Sequence, residues 1–187
     1  TWNRSSWSNP TPRYSNNPYW VRHKNYETDG RTRVFGNLAA SYKLAEGLTA
    51  EVNYMTDTYF ETQEERVAIG SQCTSQYWLS KYGHLENNIQ GLLSYNKSFS
   101  KDFSWNANAG VNRMTRSGST LISKTVDGLS SDVFSLEASM GRPDITDLKT
   151  KKRINSVFAS SSLGYKDVLF LDLGARNDWS STLPVKH

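Results

Sequence analysis

The chain has 187 residues, 36% hydrophobic and 21% charged, with a mean hydropathy of −0.65 and a net charge of +4. It holds no run of 18 apolar residues, which excludes a membrane-spanning helix, and its basic residues, such as Arg31 with Arg33 and Lys151, Lys152 with Arg153, are too scattered for a nucleic-acid groove, so no such partner is expected. The lone Cys73 excludes an intrachain disulfide, and His23, His84 and His187 are too widely spaced to suggest a metal site, so neither metal nor cofactor is expected.

Residues 1–31 are rich in turn formers (Pro10, Pro12, Asn16, Asn17, Pro18, Gly30) and in rings, and read as an ordered loop. From Val34 to Leu44 and again from Leu48 to Tyr54, every second residue is apolar or small and uncharged, while Asn37, Ser41, Lys43, Thr49, Glu51 and Asn53 take the alternate positions. Because side chains alternate across a strand, this is a hairpin with one apolar and one polar face, its strands near 32–44 and 48–57. A polar stretch at 57–87 follows, too long for an ordinary connection. The pattern returns near 87–97 and 103–112, where Ile89, Gly91, Leu93 and Tyr95, then Phe103, Trp105, Ala107, Ala109 and Val111 share one face. A second long excursion, 113–150, carries a small element around Val133 to Leu136. A third hairpin, near 153–165 and 168–178, sets Val157, Ala159, Ser161, Leu163 and Tyr165, then Leu169, Leu171, Leu173 and Ala175, against Asp172 and Arg176.

The expected fold is all-β: an antiparallel up-and-down sheet of about six strands whose apolar face lies against lipid and whose polar face lies against water, as in a transmembrane β-barrel. Ser161 is the one plainly polar residue on the apolar face. Aromatic residues gather by depth, with Tyr42, Tyr95, Phe103, Trp105 and Tyr165 near the short turns and Tyr54 and Trp179 at the opposite strand ends, as in two interfacial girdles. Short turns at one end and long connections at the other place residues 1–31, 57–87 and 113–150 outside the cell. Six strands fall short of the eight of the smallest bacterial barrel. The chain also opens on Thr1, Trp2, Asn3 and Arg4 without the basic start and apolar core of a secretory signal. Both features lead us to expect an internal piece of a larger protein.

Residues 174–184, Gly174, Ala175, Arg176, Asn177, Asp178, Trp179, Ser180, Ser181, Thr182, Leu183 and Pro184, closely resemble the "GRNDWSSTLP" motif of SusC/RagA-type TonB-dependent outer-membrane transporters of Bacteroidetes, departing at Ala175. Asn17, Pro18, Tyr19 and Trp20 resemble that family's "NPYW" element, followed by Arg33, Phe35 and Gly36, and Tyr165, Lys166 and Asp167 resemble its "YKD" turn. The resemblance implies a mid-barrel segment of a 22-stranded, plugged transporter, with the plug domain and the TonB-contacting segment outside these residues. It further implies import of oligosaccharides or peptides, with a SusD-like surface lipoprotein as lid and TonB driving the plug. A siderophore-type receptor or a passive porin shares the same barrel physics, and a soluble glycan-binding β-module is the reading without a membrane.

No catalytic constellation is evident. Glu64 with Glu65 and Asp144 with Asp147 read as solvated loop charges, and Ser180, Ser181 and Thr182 lack a histidine nearby in sequence. Candidate cargo contacts are the rings of the expected outer loops, Trp2, Trp7, Tyr14, Tyr19, Trp20, Tyr77, Trp78 and Tyr82, which suit stacking on sugars or packing on peptide side chains. Arg176 and Asp178 share the polar phase of the last strand, where an ion pair would order the motif that follows.

Overall fold

The computed structural model describes residues 3–4, 6–9, 11–166 and 168–182. Six strands follow a short helix: α1 (Pro18–Lys24), β1 (Glu27–Ala45), β2 (Leu48–Val67), β3 (Gln76–Ser98), β4 (Phe103–Lys124), β5 (Asp144–Tyr165) and β6 (Leu169–Ser180). They form one antiparallel sheet in the order β1-β2-β3-β4-β5-β6, an up-and-down meander. A single 3-10 turn, Leu136–Ala138, interrupts the connection from β4 to β5. Between β5 and β6 the register is unbroken from Ile154 opposite Ser180 to Tyr165 opposite Leu169.

The strands outrun the alternating sequence pattern. Residues 57–67 and 76–87 are strand rather than loop, as are 113–124 and 144–150, and β1 begins at Glu27. The physical reason is that hydrophobic alternation is visible only where one face meets an apolar medium. Beyond that band both faces are polar and aromatic, so the period loses its contrast while the backbone ladder continues. The small element expected at Val133 to Leu136 falls instead at Leu136–Ala138, where the Ser135 side chain accepts from the Ala138 N–H. Residues 18–24 are helical because Asn17 accepts from the Tyr19 N–H and Pro18 supplies a helix-compatible first position.

Contacts group the residues into two units. The unit of residues 33–58, 84–117 and 150–187 carries the amphipathic hairpins. No described residue of this chain covers its apolar face: Leu38, Leu93 and Leu173 are 76%, 48% and 61% exposed. Ser161, the polar outlier on that face, accepts from the indole Nε1 of Trp105 at 2.8 Å. Rings cluster at the short-turn end, with Phe103 and Tyr165 centroids 4.7 Å apart and Tyr95 edge-on to Trp105 at 5.2 Å. At the other end the Tyr54 and Thr56 hydroxyls both donate to the Asn87 side chain.

The other unit, residues 1–32, 59–83 and 118–149, contains the apolar cluster of Tyr77, Leu129 and Ala138, with Leu79, Phe134 and Leu136 against it. The β4–β5 connection is folded onto the strands by hydrogen bonds as well as by this cluster. Tyr77 and Thr125 are doubly linked, through the Tyr77 N–H to the Thr125 hydroxyl at 2.9 Å and the Thr125 N–H to the Tyr77 carbonyl at 3.1 Å. The Leu129 N–H reaches the Ser75 hydroxyl at 2.9 Å, and Gly128 supplies the positive φ of 98° that the turn needs. Asn25 ties the start of β1 to the β2–β3 connection by accepting from the Ala68 N–H and donating to Ser71. Leu129→Ala is expected to remove about 2–5 kcal/mol of local packing. The checkable result is faster proteolytic cleavage within residues 125–143, with the yield of folded protein unchanged.

Candidate functional site: the polar face

The polar phase of the strands carries several paired charges. In the unit of residues 33–58, 84–117 and 150–187, the Arg33 guanidinium grips Asp57 through both carboxylate oxygens at 2.8 and 2.6 Å. Arg116 donates to Glu86 at 2.7 Å, and His84 lies 3.9 Å from the same carboxylate. Arg176 donates to Asp178 at 3.0 Å and to the Ser156 hydroxyl at 3.1 Å, with its guanidinium 5.8 Å from the Phe158 ring. A planar guanidinium satisfies two carboxylate oxygens at once, so these pairs also fix the side chains they join.

Between the charge pairs the polar face is carpeted with carboxamides, among them Asn37, Asn53, Asn88, Gln90 and Asn112. The side-chain oxygens of Asn53, Asn88 and Asn112 are buried and have no hydrogen-bond partner. A cleft of about 400 Å³ opens beside Asn88, between Arg33, Phe35, Met55, Asp57 and Glu86.

The unit of residues 1–32, 59–83 and 118–149 has its own polar-face features. Arg31 is bonded to Glu61, its Nε at 2.8 Å from the carboxylate, and lies over the Tyr59 ring at 4.6 Å. That guanidinium holds the Glu61 carboxyl below the ordinary carboxylate range. An acidic cleft of about 460 Å³ is lined by Glu27, Asp29, Gln63, Glu65, Trp78 and Ser80. Lys124 sits 4.7 Å over the Trp78 ring, a cation on an aromatic face. In the same unit Arg66 joins Glu64, Tyr26 and the rim of Phe134, and the bond to Glu64 holds the Arg66 proton more firmly than usual.

The rings singled out from sequence fall in different places. Trp7, Tyr14 and Tyr19 are exposed, and Trp20 and Tyr82 are half-buried. Trp78 faces the acidic cleft with its indole nitrogen buried and unpartnered. Tyr77 differs: at 6% exposure its ring packs on Leu129 and Ala138, and burial pushes its hydroxyl pKa up. Trp2, Leu183, Pro184 and Asp167 lie outside the described residues. In the motif that ends β6, Trp179 is exposed, the Arg153 N–H donates to the Ser181 hydroxyl at 3.0 Å, the Ser181 N–H donates to the Arg153 carbonyl at 2.9 Å, and the Ser180 and Thr182 hydroxyls are 2.9 Å apart. Each of these serines is thus engaged in holding the end of the last hairpin. No group of three or more His, Cys, Asp or Glu suited to a metal occurs among the described residues.

The sequence pattern alone missed Asp57, Glu86 and Arg116, although the signal was present. Each continues the phase of Asn53, Asn88 or Asn112 in its own strand, so extending the polar register past Tyr54 finds them.

A polar face built of ion pairs and carboxamides, back to back with an uncovered apolar face, defines a wall segment of a large up-and-down β-barrel. Solved structures with this fold include that of the RagAB peptide transporter, one chain of which matches over 90% of this chain at a TM-score of 0.78 and 15% identity. Chains of the RagAB peptide importer in the "closed-closed" and "open-open" states each match over 88% at 0.76 and 16% identity. This chain spans about a fifth of the length of those proteins, 19% in each case. No protein-family model matches the sequence, and no curated protein does.

Proposed function

We propose that these residues form part of the barrel wall of a TonB-dependent importer that carries nutrients, oligosaccharides or peptides, across a bacterial outer membrane. The observation that supports this reading most directly is the pairing of an exposed apolar face with a face of ion pairs and carboxamides on one meander that shares the RagAB fold. The apolar face would meet lipid and the polar face the lumen. A SusD-like lipoprotein would close the outer mouth, near the connections of residues 68–75 and 125–143, and TonB would act through segments outside this chain. The activity would be transport, with no chemistry on the cargo, as in the RagAB neighbours, which are a peptide transporter and importer.

The whole protein, expressed from its own locus with a tag, tests this reading. It is expected to fractionate with the outer membrane, to migrate faster on gels before heating than after, and to bring down a surface lipoprotein. Growth on a peptide or oligosaccharide source should fall when either the protein or TonB is deleted. Growth loss on deleting the protein but not TonB would point to a passive porin. A siderophore as the sole affected substrate, with no lipoprotein partner, would point to an iron receptor.

A further inference from the structure

On the apolar face of the unit of residues 33–58, 84–117 and 150–187, a groove of about 530 Å³ crosses β3 to β6. Strand register explains it. The Phe99 N–H bonds the Phe103 carbonyl, which sets Tyr95 across from Ala107 and Leu93 across from Ala109. In the last hairpin Ser161 stands opposite Leu173, and Ala159 opposite Ala175. Ala107, Ala109, Ala159 and Ala175 are therefore the floor, because a methyl group leaves empty the height that Leu93 and Tyr95 fill on one side and Leu173 on the other. A second depression, of about 460 Å³, shares Leu93, Ala109 and Ala159 and carries the groove on to Gly91 and Val111, further from the short turns. From Ser161 to Val157 the groove follows β5 for roughly 13 Å.

The short-turn end of this groove is polar. Ser161 lines it and accepts the Trp105 indole N–H at 2.8 Å, while its own hydroxyl hydrogen meets no acceptor among the described residues. A donor left unmade beside hydrocarbon is unfavourable. Next in line, Trp105 stacks on Phe99 with centroids 6.1 Å apart, and the Lys97 Nζ lies 5.8 Å from the Phe99 ring. Lys97 continues the phase of Leu93 and Tyr95, so its stem lies along the apolar face and its ammonium reaches for water at the edge of that face. Lys166 stands on the other flank, 5.3 Å over the Tyr165 ring, and its backbone N–H donates to the Asp102 carbonyl at 2.7 Å, which ties the β5–β6 turn to the β3–β4 turn. Among the described residues neither ammonium is paired with a carboxylate.

An apolar channel, a hydroxyl donor and a pair of free cations follow one another along the strands in the order in which a glycerophospholipid presents its acyl chain, its ester carbonyl and its phosphate. We propose that this strip binds one anionic glycerophospholipid of the periplasmic leaflet, with an acyl chain on the alanine floor, an ester carbonyl accepting from Ser161 and the phosphate between Lys97 and Lys166. The proposal rests on the barrel-wall reading above, in which the short turns face the periplasm. Charge favours an anionic headgroup over a zwitterionic one, because Lys97, Lys101 and Lys166 outnumber Asp102 and Asp167 in these two turns. The phosphates of lipid A lie in the other leaflet, at the far ends of the strands. A second copy of this chain, related by a two-fold axis along the membrane normal, would bring the same lysines to the same depth, like charge against like.

The test extracts the whole protein from the outer membrane in a mild detergent, adds phosphatidylglycerol, phosphatidylethanolamine or lipid A, and reads bound lipid by native mass spectrometry. Wild type is expected to hold one phosphatidylglycerol about ten-fold more tightly than phosphatidylethanolamine, since each lysine at a membrane surface favours an anionic lipid by several-fold. Lys97→Gln with Lys166→Gln should abolish that preference. Ala109→Phe with Ala159→Phe fills the groove with side chains equally suited to hydrocarbon, and should weaken phosphatidylglycerol binding about ten-fold by displacing the acyl chain, with the heat-modifiable form intact. Ser161→Ala should weaken it about three-fold, the effect of one hydrogen bond, and should do so in a Trp105→Phe background as well, where the serine has no indole to serve. Should the Phe variant fail to assemble, the exposed lysine pair carries the test. Equal binding of the two phospholipids by wild type overturns the proposal, as do an unchanged preference in the lysine variant, tighter binding of lipid A, and a protein dimer that the Phe variant abolishes. Each of these leaves the transporter reading standing. A whole protein that does not fractionate with the outer membrane overturns both.

Discussion

Leu171→Arg should reduce the heat-modifiable form of the whole protein in the outer membrane by about ten-fold or more, because a basic side chain on the lipid side of a barrel at mid-bilayer costs about 2–4 kcal/mol. Asp172→Arg, one residue further on, should leave that amount within about two-fold of wild type. The two positions differ only in phase. Leu171 stands opposite Leu163 on the uncovered apolar face, and Asp172 stands opposite Ser162 on the polar one. Replacing the exposed Asp172 carboxylate is a small matter in water, where an exposed charge contributes little, whereas no arrangement of β6 lets the side chain of residue 171 reach the polar face without slipping the register by one. Such a slip would turn Leu169, Leu173 and Trp179 inward as well and bring Asp178 and Arg176 out. Semi-quantitative immunoblots of outer-membrane fractions, with and without heating, measure both variants. Equal amounts of the two would contradict the assignment of the faces.

The same asymmetry explains what could be read from the sequence. The hairpins at residues 34–54, 89–111 and 157–175 were legible because each strand there alternates between two media, and alternation between media is what a hydrophobicity pattern records. The stretch Thr58–Val67 was not legible as strand. Its residues include Glu61, Glu64, Glu65 and Arg66, and with polar groups on both sides nothing distinguishes it from a loop. Its strand character depends on neighbours distant in sequence, such as Arg31 for Glu61 and Tyr26 for Arg66. Tyr77 shows the converse. As an aromatic in a polar stretch it looked like a surface ring, and only the folding back of Leu129 and Ala138 makes it part of a core.

The polar face was legible in part. Arg176 and Asp178 are two apart in one strand, so their shared phase follows from sequence, and the structure gives their bond directly. The pairs Arg33–Asp57 and Arg116–Glu86 join residues 24 and 30 apart. They depend on strand register, which the sequence leaves open until the turn geometry is known. The unpartnered amides of Asn53, Asn88 and Asn112 are less legible still, since a missing hydrogen bond is a property of three dimensions alone.

Turn geometry is therefore where a single substitution reaches furthest, and Gly47→Val should show it. Gly47 joins β1 to β2 at a φ of 77°, in the left-handed region that a β-branched residue strongly disfavours. A Cβ there would also stand 2.4 Å from the carbonyl oxygen of Asn96. That contact is with backbone, so no rotamer change relieves it, and the Gly47 carbonyl is itself fixed by the Asn96 N–H at 2.8 Å. Relief requires the turn to move away from β3, which breaks this bond and shifts the register that sets Arg33 beside Asp57. The left-handed strain alone is worth about 1–2 kcal/mol, and overpacking against a fixed neighbour adds about 1–3 kcal/mol. The expected outcome is a several-fold or greater loss of assembled protein and a lower temperature for the heat-induced gel shift. Glu46→Val, at the preceding turn position and without a positive φ, should leave both near wild type. A Gly47→Val protein with an unchanged gel-shift temperature would show that the turn does not hold β1 and β2 in register against β3.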